Sequence, residues 1–335
     1  MAENTVQGLI IGKFMPPHLG HLHLFDFGAG WCGALTIVVE HIAGEPIPSA
    51  TRAAWVAELA PRARVLHLDR AMPQRPEDDP DFWATWGGAL RALLPALPDV
   101  VFASEPYGAP LAACLGARFI PVDLGRAAVP ISATAIRADP QACWPMLPPP
   151  VRAHYARRVA VVGPESSGKT TLSRWLATEL GATWVPEHAR ALLEQRGALD
   201  RGWPAVLDDI ARGQRASEAA LARSCGGLLI CDTDLLTTTL WSEALTGAVA
   251  PWIAAAAAAA RYELTLVCAP DLPFEPDPVR YRPEERPAFH AALLERLQAA
   301  HRPFVCVSGT GPEREVRALA ALRAALGLVS RDTSR

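Results

Sequence analysis

The sequence predicts an α/β protein of two domains, each a parallel sheet flanked by helices. Three observations predict it. Short apolar runs bounded by turn residues alternate with helical stretches in both halves, the pattern of buried parallel strands joined by helices. A proline-rich break at Pro145, Pro148, Pro149 and Pro150 separates the two series. The 32 basic residues of the 335-residue chain include only two lysines, Lys13 and Lys169, and each sits in a loop following an apolar run. Lysine is a point charge on a flexible stem where arginine is a wide planar fork, so a tight glycine-lined phosphate cradle suits it.

In the first half, Val6–Ile11, Leu35–Glu40, Ala63–Leu68 and Val100–Ala103 read as buried strands, with helices over Gly20–Gly30 and Thr51–Leu59. Proline continues neither a helix nor a central strand. The break therefore predicts a first domain over 1–145, a linker over 146–156 and a second domain over 157–330. In the second half, Val159–Val162 opens as a strand and Thr170–Leu180 follows as a helix. The short run Thr183–Val185 is the next strand, followed by Leu228–Cys231, Leu264–Cys268 and Phe304–Val307, with Val316–Leu326 as a closing helix. Ala254–Ala260 reads as a plain helix of high propensity. Pro270–Pro287 interrupts the series as an exposed loop or mobile lid.

The net charge of -3 offers no basic footprint for nucleic acid. No apolar run reaches the ~18 residues of a membrane span, and no signal peptide is expected. The seven cysteines are scattered and form no Cys-x-x-Cys pair, which fits a reducing, cytoplasmic setting. Cys231, Cys268 and Cys306 read as small core residues. Oligomeric state is not legible; a homo-oligomer is compatible with everything seen.

The segment Gly12-Lys-Phe-Met-Pro-Pro-His-Leu-Gly-His21 leaves a strand and enters a helix. Ligands of α/β sheets bind beyond the carboxyl ends of strands, and a helix start favours anions. His18 and His21 share a face of that helix start, where imidazolium can donate to phosphate. Ordinary surface histidines, or a zinc site that includes His23, are the competing readings. Farther on, Ile131-Ser-Ala-Thr-Ala-Ile-Arg137 brings the hydroxyls of Ser132 and Thr134 and the guanidinium of Arg137 to a second helix start, able to cradle a triphosphate from the other side. Together, His18-Leu-Gly-His21 and Ile131-Ser-Ala-Thr-Ala-Ile-Arg137 resemble the paired motifs of the nucleotidylyltransferase superfamily. The resemblance implies a Rossmann-like domain in which a substrate phosphate attacks the α-phosphate of ATP and releases pyrophosphate. Lys13, His18, His21 and Arg137 would neutralise the growing charge, Mg²⁺ would sit on the phosphates, and Gly12, Phe14, Ser132 and Thr134 would line the ATP.

Gly163-x-x-x-x-Gly168-Lys169-Thr170 satisfies the P-loop pattern between a strand and a helix. Backbone amides from Gly163, Glu165, Ser166, Ser167 and Gly168 through Thr171 would wrap ATP phosphates, Lys169 would bridge them, and Thr170 would bind Mg²⁺. Asp232 ends a buried strand where P-loop proteins place a magnesium-associated acid. Asp234 contacts substrate, or either acid is a plain helix N-cap. Glu187 stands 18 residues after Lys169, at the expected end of the second strand. Small-molecule P-loop kinases use an acid there to orient or deprotonate the accepting hydroxyl; a capping acid with a surface arginine, Arg190, is the alternative. The choice of kinase base between Glu187 and Asp232 stays open. Arg280, Arg282 and Arg286 are candidates to close over the transferring phosphoryl group.

A nucleotidylyltransferase followed by a P-loop kinase closely resembles the NadR family, bifunctional nicotinamide-nucleotide adenylyltransferase and ribosylnicotinamide kinase. Ser104-Glu-Pro-Tyr-Gly108, Val122-Asp123 with Arg126, Pro186-Glu-His-Ala-Arg190, Ile210-Ala-Arg-Gly-Gln214 and Asp232-Thr-Asp234 match its style. The resemblance implies ATP, nicotinamide riboside, the mononucleotide NMN and NAD as small-molecule partners. Arg190, Gln214, Asp234 and Arg280 become substrate contacts, and Trp86 a stacking partner for nicotinamide. Trp86 reads equally as a core residue beside Phe82. Two departures stand out. The helix-turn-helix that some members carry is not expected ahead of a first strand near residue 6, which removes the repressor role. The lid reads Asp277-Pro278-Val-Arg280 where glycine would follow the aspartate. ATP motifs do not report the acceptor, so another acceptor pair, or an NAD-sensing regulator, would keep both loops.

Overall fold

The structure is a computed structural model that describes residues 5–42, 44–195, 202–275 and 283–328. The chain forms two compact units, Met1–Val151 and Arg152–Arg335.

The first unit runs β1 (Gln7–Gly12), α1 (Leu19–Trp31), β2 (Ala34–His41), α2 (Ser49–Leu59), β3 (Arg64–Ala71), α3 (Phe82–Leu93), β4 (Val100–Ala103), α4 (Gly108–Leu115), β5 (Arg118–Pro121) and α5 (Ala133–Ala138). Its sheet is parallel, in the order β3-β2-β1-β4-β5. Side chains alternate across a strand, so β1 serves two cores. Leu9 and Ile11 pack with Val38, Val101 and the α3 and α4 residues Leu90 and Leu111. Ile10 packs with Ile37, Val100, Phe102 and Phe25 of α1. This two-sided burial is why the strands read as continuous apolar runs.

Helix α6 (Pro149–Tyr155) occupies most of the stretch expected to be a linker over 146–156. The prolines do not forbid it. Pro149 and Pro150 fall in the first turn, where the missing N–H has no intrahelical partner anyway.

The second unit runs β6 (Arg157–Val162), α7 (Lys169–Leu180), β7 (Thr183–Val185), α8 (His188–Leu193), α9 (Trp203–Ala222), β8 (Leu228–Asp232), α10 (Leu235–Thr246), α11 (Pro251–Ala259), β9 (Leu264–Cys268), α12 (Arg286–Ala299), β10 (Phe304–Val307) and α13 (Gly311–Leu326). Its parallel sheet has the order β10-β9-β6-β8-β7. Val159 and Val161 face one core with Leu172, Leu176 and Leu322; Ala160 and Val162 face the other with Leu240, Val267 and Leu293. Cys231 and Cys268 are buried as expected, but Cys306 is exposed. Cys306 lies on β10, an edge strand, and an edge strand does not need both faces covered. Among the described residues no helix is long and apolar enough to cross a membrane.

In each sheet the chain reverses direction beside the first strand: β1 lies between β2 and β4, and β6 between β8 and β9. That reversal opens a crevice beyond the strand's carboxyl end, where doubly wound sheets bind ligands. Both lysine loops leave from there.

Candidate functional sites

In the first unit the chain leaves β1 through Lys13 and Phe14, the latter in the left-handed region at φ +46. Two anchors hold this exit. The Tyr107 hydroxyl donates to the Ile11 carbonyl at 2.6 Å. The fully buried Arg52 guanidinium donates to the Lys13 and Ile47 carbonyls and pairs with Glu45. Lys13 itself is exposed. Its charge favours the ionised form of nearby Glu40, but burial prevails and the Glu40 carboxyl rises above its usual range.

His18 is the N-cap of α1 and His21 lies one turn on. Their rings stack at 3.8 Å, with Phe14 edge-on to His21 at 5.1 Å. Both Nδ1 atoms are enclosed without a hydrogen-bond partner. Burial, with the Arg126 charge adding to it, lowers His18 to about 4. Burial, then His18 and Arg126, hold His21 well below its ordinary value. The protein by itself therefore carries two neutral imidazoles at pH 7, not the imidazolium donors that the sequence suggested. A neutral ring still offers one N–H to an anion.

From the other side, Arg137 donates to the Met15 carbonyl at 2.6 Å and to the Thr134 hydroxyl at 3.3 Å, which ties α5 to the β1–α1 loop. The Ser132 oxygen accepts the Ala135 N–H as the N-cap of α5, leaving its own O–H to donate. Arg126 pairs with Glu105 at 3.1 Å, and the Asp123 carboxylate accepts the amides of Ala127, Ala128 and Val129, shaping the turn that carries Arg126. Gly12, Lys13, Phe14, His18, His21, Thr134 and Arg137 thus belong to one region at the end of β1. Trp86 does not join them. It is 7% exposed in the α3 core, and its indole N–H donates to the Pro73 carbonyl. A ring walled in on both faces presents none for stacking, so the core reading holds.

In the second unit a cavity of about 320 Å³ opens over the P-loop, and its walls include Gly163, Glu165, Ser166, Ser167, Gly168, Lys169, Thr170 and Thr171. Gly163 has φ +149, and a Cβ there would come within 2.7 Å of the Cys268 carbonyl oxygen, so only glycine fits. The Lys169 ammonium donates to the Pro164 carbonyl at 2.9 Å. Two buried arginines brace the loop from outside: Arg314 donates to the Ser167, Gly309 and Ala269 carbonyls and pairs with Asp271, and Arg286 donates to the carbonyls of Ser166 and Leu272.

Asp232, at the end of β8, has no exposed surface, and neither carboxylate oxygen meets a hydrogen-bond partner. Burial, then the charge of Glu187, raises it to about 6, while Thr170, Lys169 and Arg174 pull the other way. A buried acceptor pair beside the first hydroxyl of α7 suits a hard divalent cation, which takes oxygen ligands. Glu187 and Arg190 stand on the cavity wall, as do Trp203, Leu207 and Trp241. Glu187 is the N-cap of α8, yet its side chain makes no capping bond.

Two expected substrate contacts lie elsewhere. Asp234 is fully buried, caps α10 by accepting the Thr237 N–H and hydroxyl, both at 2.9 Å, and pairs with Arg302 at 2.6 Å. Both of its oxygens are spent, so it is the helix cap that the sequence offered as an alternative. Gln214 is 1% exposed, one layer behind the cavity. Arg280, Arg282 and the Asp277-Pro278 step lie outside the described residues. Nothing in the sequence marked Arg52, Arg314, Trp203 or Trp241, and Tyr107 had a place in Ser104–Gly108 but no role. The first four sit in no motif, and an arginine within a helical stretch carries no mark of burial.

Comparison with known proteins bears on both units. Residues 158–314 match the family model described as an AAA domain. Over 320 residues the chain is 26% identical to the trifunctional NAD biosynthesis/regulator protein NadR of Salmonella typhimurium (strain LT2), and 25% identical to that of Escherichia coli (strain K12). Each match spans 90% of this chain and 78% of the relative. Two crystal structures of NadR protein, one in complex with NAD and AMP-PNP and one with NR, share the fold at a TM-score of 0.78. Their identities are 23% and 22%, covering 98% and 99% of this chain and 98% and 100% of theirs. The chain is thus similar in sequence to the NadR proteins through both units, and it shares their fold over nearly its whole length.

Proposed function

We propose that the chain is a bifunctional transferase of NAD salvage. The second unit phosphorylates the 5′-hydroxyl of nicotinamide riboside with ATP, and the first joins the resulting mononucleotide to the AMP moiety of another ATP. The observation that carries this reading is the presence in one chain of two phosphate loops of different chemistry, each at the carboxyl end of the strand where its sheet reverses. The relatives' name and their complexes with NAD, AMP-PNP and NR support the choice of substrates. Seven cysteines without a disulfide suit a cytoplasmic setting.

In the kinase half, the P-loop amides and Lys169 would hold the β- and γ-phosphates in line with the riboside hydroxyl. That oxygen bonds to the γ-phosphorus as the bond to the ADP oxygen breaks, and its proton passes to a carboxylate. Glu187 suits that task because it lies on the cavity wall with no capping duty. Asp232 and Thr170 would hold Mg²⁺, which when bound supplies charge neutralisation to the phosphates. In the transferase half, a mononucleotide phosphate oxygen attacks the α-phosphorus and pyrophosphate leaves. Lys13, Arg137 and N–H groups of His18 and His21 would stabilise the charge that grows on the phosphates, by positioning and electrostatics without a covalent intermediate.

Product analysis by chromatography tests the reading. With ATP and Mg²⁺, NAD should form from the riboside and also from the mononucleotide. NAD from the mononucleotide alone would remove the proposed kinase substrate. No turnover in either reaction would refute the bifunctional reading.

A further inference from the structure

Helix α8 begins without help from its own N-cap, because the Glu187 side chain makes no capping bond. The first amides of a helix have no intrahelical partners and need others. Here the first one, His188 N–H, donates to the side-chain oxygen of Gln214 on α9 at 3.1 Å. The amide of Gln214 cannot turn around. Its Nε2 faces Glu218 Oε1 at 3.5 Å, and that carboxylate accepts the Tyr262 hydroxyl at 3.0 and 3.1 Å. With the acceptor Glu218 on one side, only the amide oxygen is left for His188. The approach of the two helices is equally specific. A Cβ on Gly213 would come within 2.0 Å of the His188 ring, so a larger residue there would have to displace that ring from its place against α9.

We propose that Gln214 is a positioning residue of the phosphoryl-transfer site: held by Glu218 and Tyr262, it takes over the capping of α8 and so frees and fixes the Glu187 carboxylate on the cavity wall. This rests on the reading of Glu187 as the acid that serves the accepting hydroxyl. A residue one layer behind the cavity then sets catalysis without touching substrate.

The test is steady-state phosphorylation of nicotinamide riboside by the full chain. Gln214→Met keeps the volume and removes both hydrogen bonds. It should lower kcat about 10–100-fold, the cost of misplacing a catalytic group by about 1 Å, with the KM for ATP within about threefold of wild type. In a Glu187→Gln background the same change should cost no more than about twofold, because the group it positions is already disabled. Exchanging the pair, Gln214→Glu with Glu218→Gln, restores an acceptor toward His188 and a donor between the two positions, and should bring kcat back to within about fivefold of wild type. If Gln214→Met fails to fold, Gln214→Glu alone, which sets two acceptors against each other, takes its place with the same expectation. Equal losses in the two backgrounds, a raised KM with unchanged kcat, or no recovery on exchange would overturn the positioning role. Full kcat in Glu187→Gln would instead overturn the assignment of Glu187 on which it rests.

Discussion

Replacing Asp232 by asparagine should make the protein more stable and the kinase half inactive. The carboxyl is fully buried, and burial with Glu187 nearby raises it from the ordinary 3.8 to about 6. Each pH unit of such a difference corresponds to about 1.4 kcal/mol, so holding the ionised group costs the folded state roughly 3 kcal/mol. The sign follows from the raised value. The folded protein binds the proton more tightly than the unfolded chain, so this group favours folding most below pH 3.8, and that contribution fades as pH rises through 6. Asparagine removes the charge but leaves a buried amide short of partners, a cost of about 1–2 kcal/mol. The net gain near pH 7.5 is therefore about 1–2 kcal/mol, or a Tm rise of about 2–8 °C for a unit of this size. The assay is thermal unfolding of ligand-free wild type and Asp232→Asn from pH 4 to 8, following the transition that ATP shifts. The stability difference should open between pH 4 and 7 and then level off. A variant no more stable than wild type at pH 7.5, or a difference flat across this range, would refute the reasoning. Retained phosphorylation in the variant would refute the placing of Asp232 among the groups that serve transfer.

Three further outcomes are expected. Lys169→Ala should abolish riboside phosphorylation and leave mononucleotide adenylylation intact, while His18→Ala should lower adenylylation about 10²–10³-fold and spare the kinase; loss of both activities in a folded variant would contradict the two-site assignment. Asp234→Ala removes a helix cap and the ion-pair partner of the largely buried Arg302, so the second unit should lose about 3–5 kcal/mol in urea unfolding; a loss under about 1 kcal/mol would show that the pair carries little. Trp86→Phe leaves a void in the α3 core and unpairs the Pro73 carbonyl, so it should cost about 1–3 kcal/mol with an unchanged KM for the mononucleotide; a KM rise in a protein of full stability would return Trp86 to the binding site.

Much of the architecture was written locally. Val159–Val162 followed by Gly163, Gly168 and Lys169 announces strand, phosphate loop and helix because each is encoded by its own short segment. The same holds for β1 and the histidines after it. Proline was the misleading local signal. Its prohibition applies to helix interiors, and at 149 and 150 it opens a helix where a linker was expected.

What the sequence by itself determined is the two-unit α/β design and the two lysine-bearing loops that leave β1 and β6, since hydrophobic periodicity and glycine chemistry act over a few residues. The tertiary structure decided how chemically similar residues divide their work. Asp232 and Asp234 are two residues apart at the end of one strand, yet one keeps both buried oxygens without a hydrogen-bond partner and the other caps α10 and holds Arg302. Trp86 went to the core, while Trp203 and Trp241 reached the cavity wall. Burial, charge neighbours and hydrogen-bond partners come from segments distant in sequence, and those alone determine whether a carboxylate or an indole is free to meet a ligand.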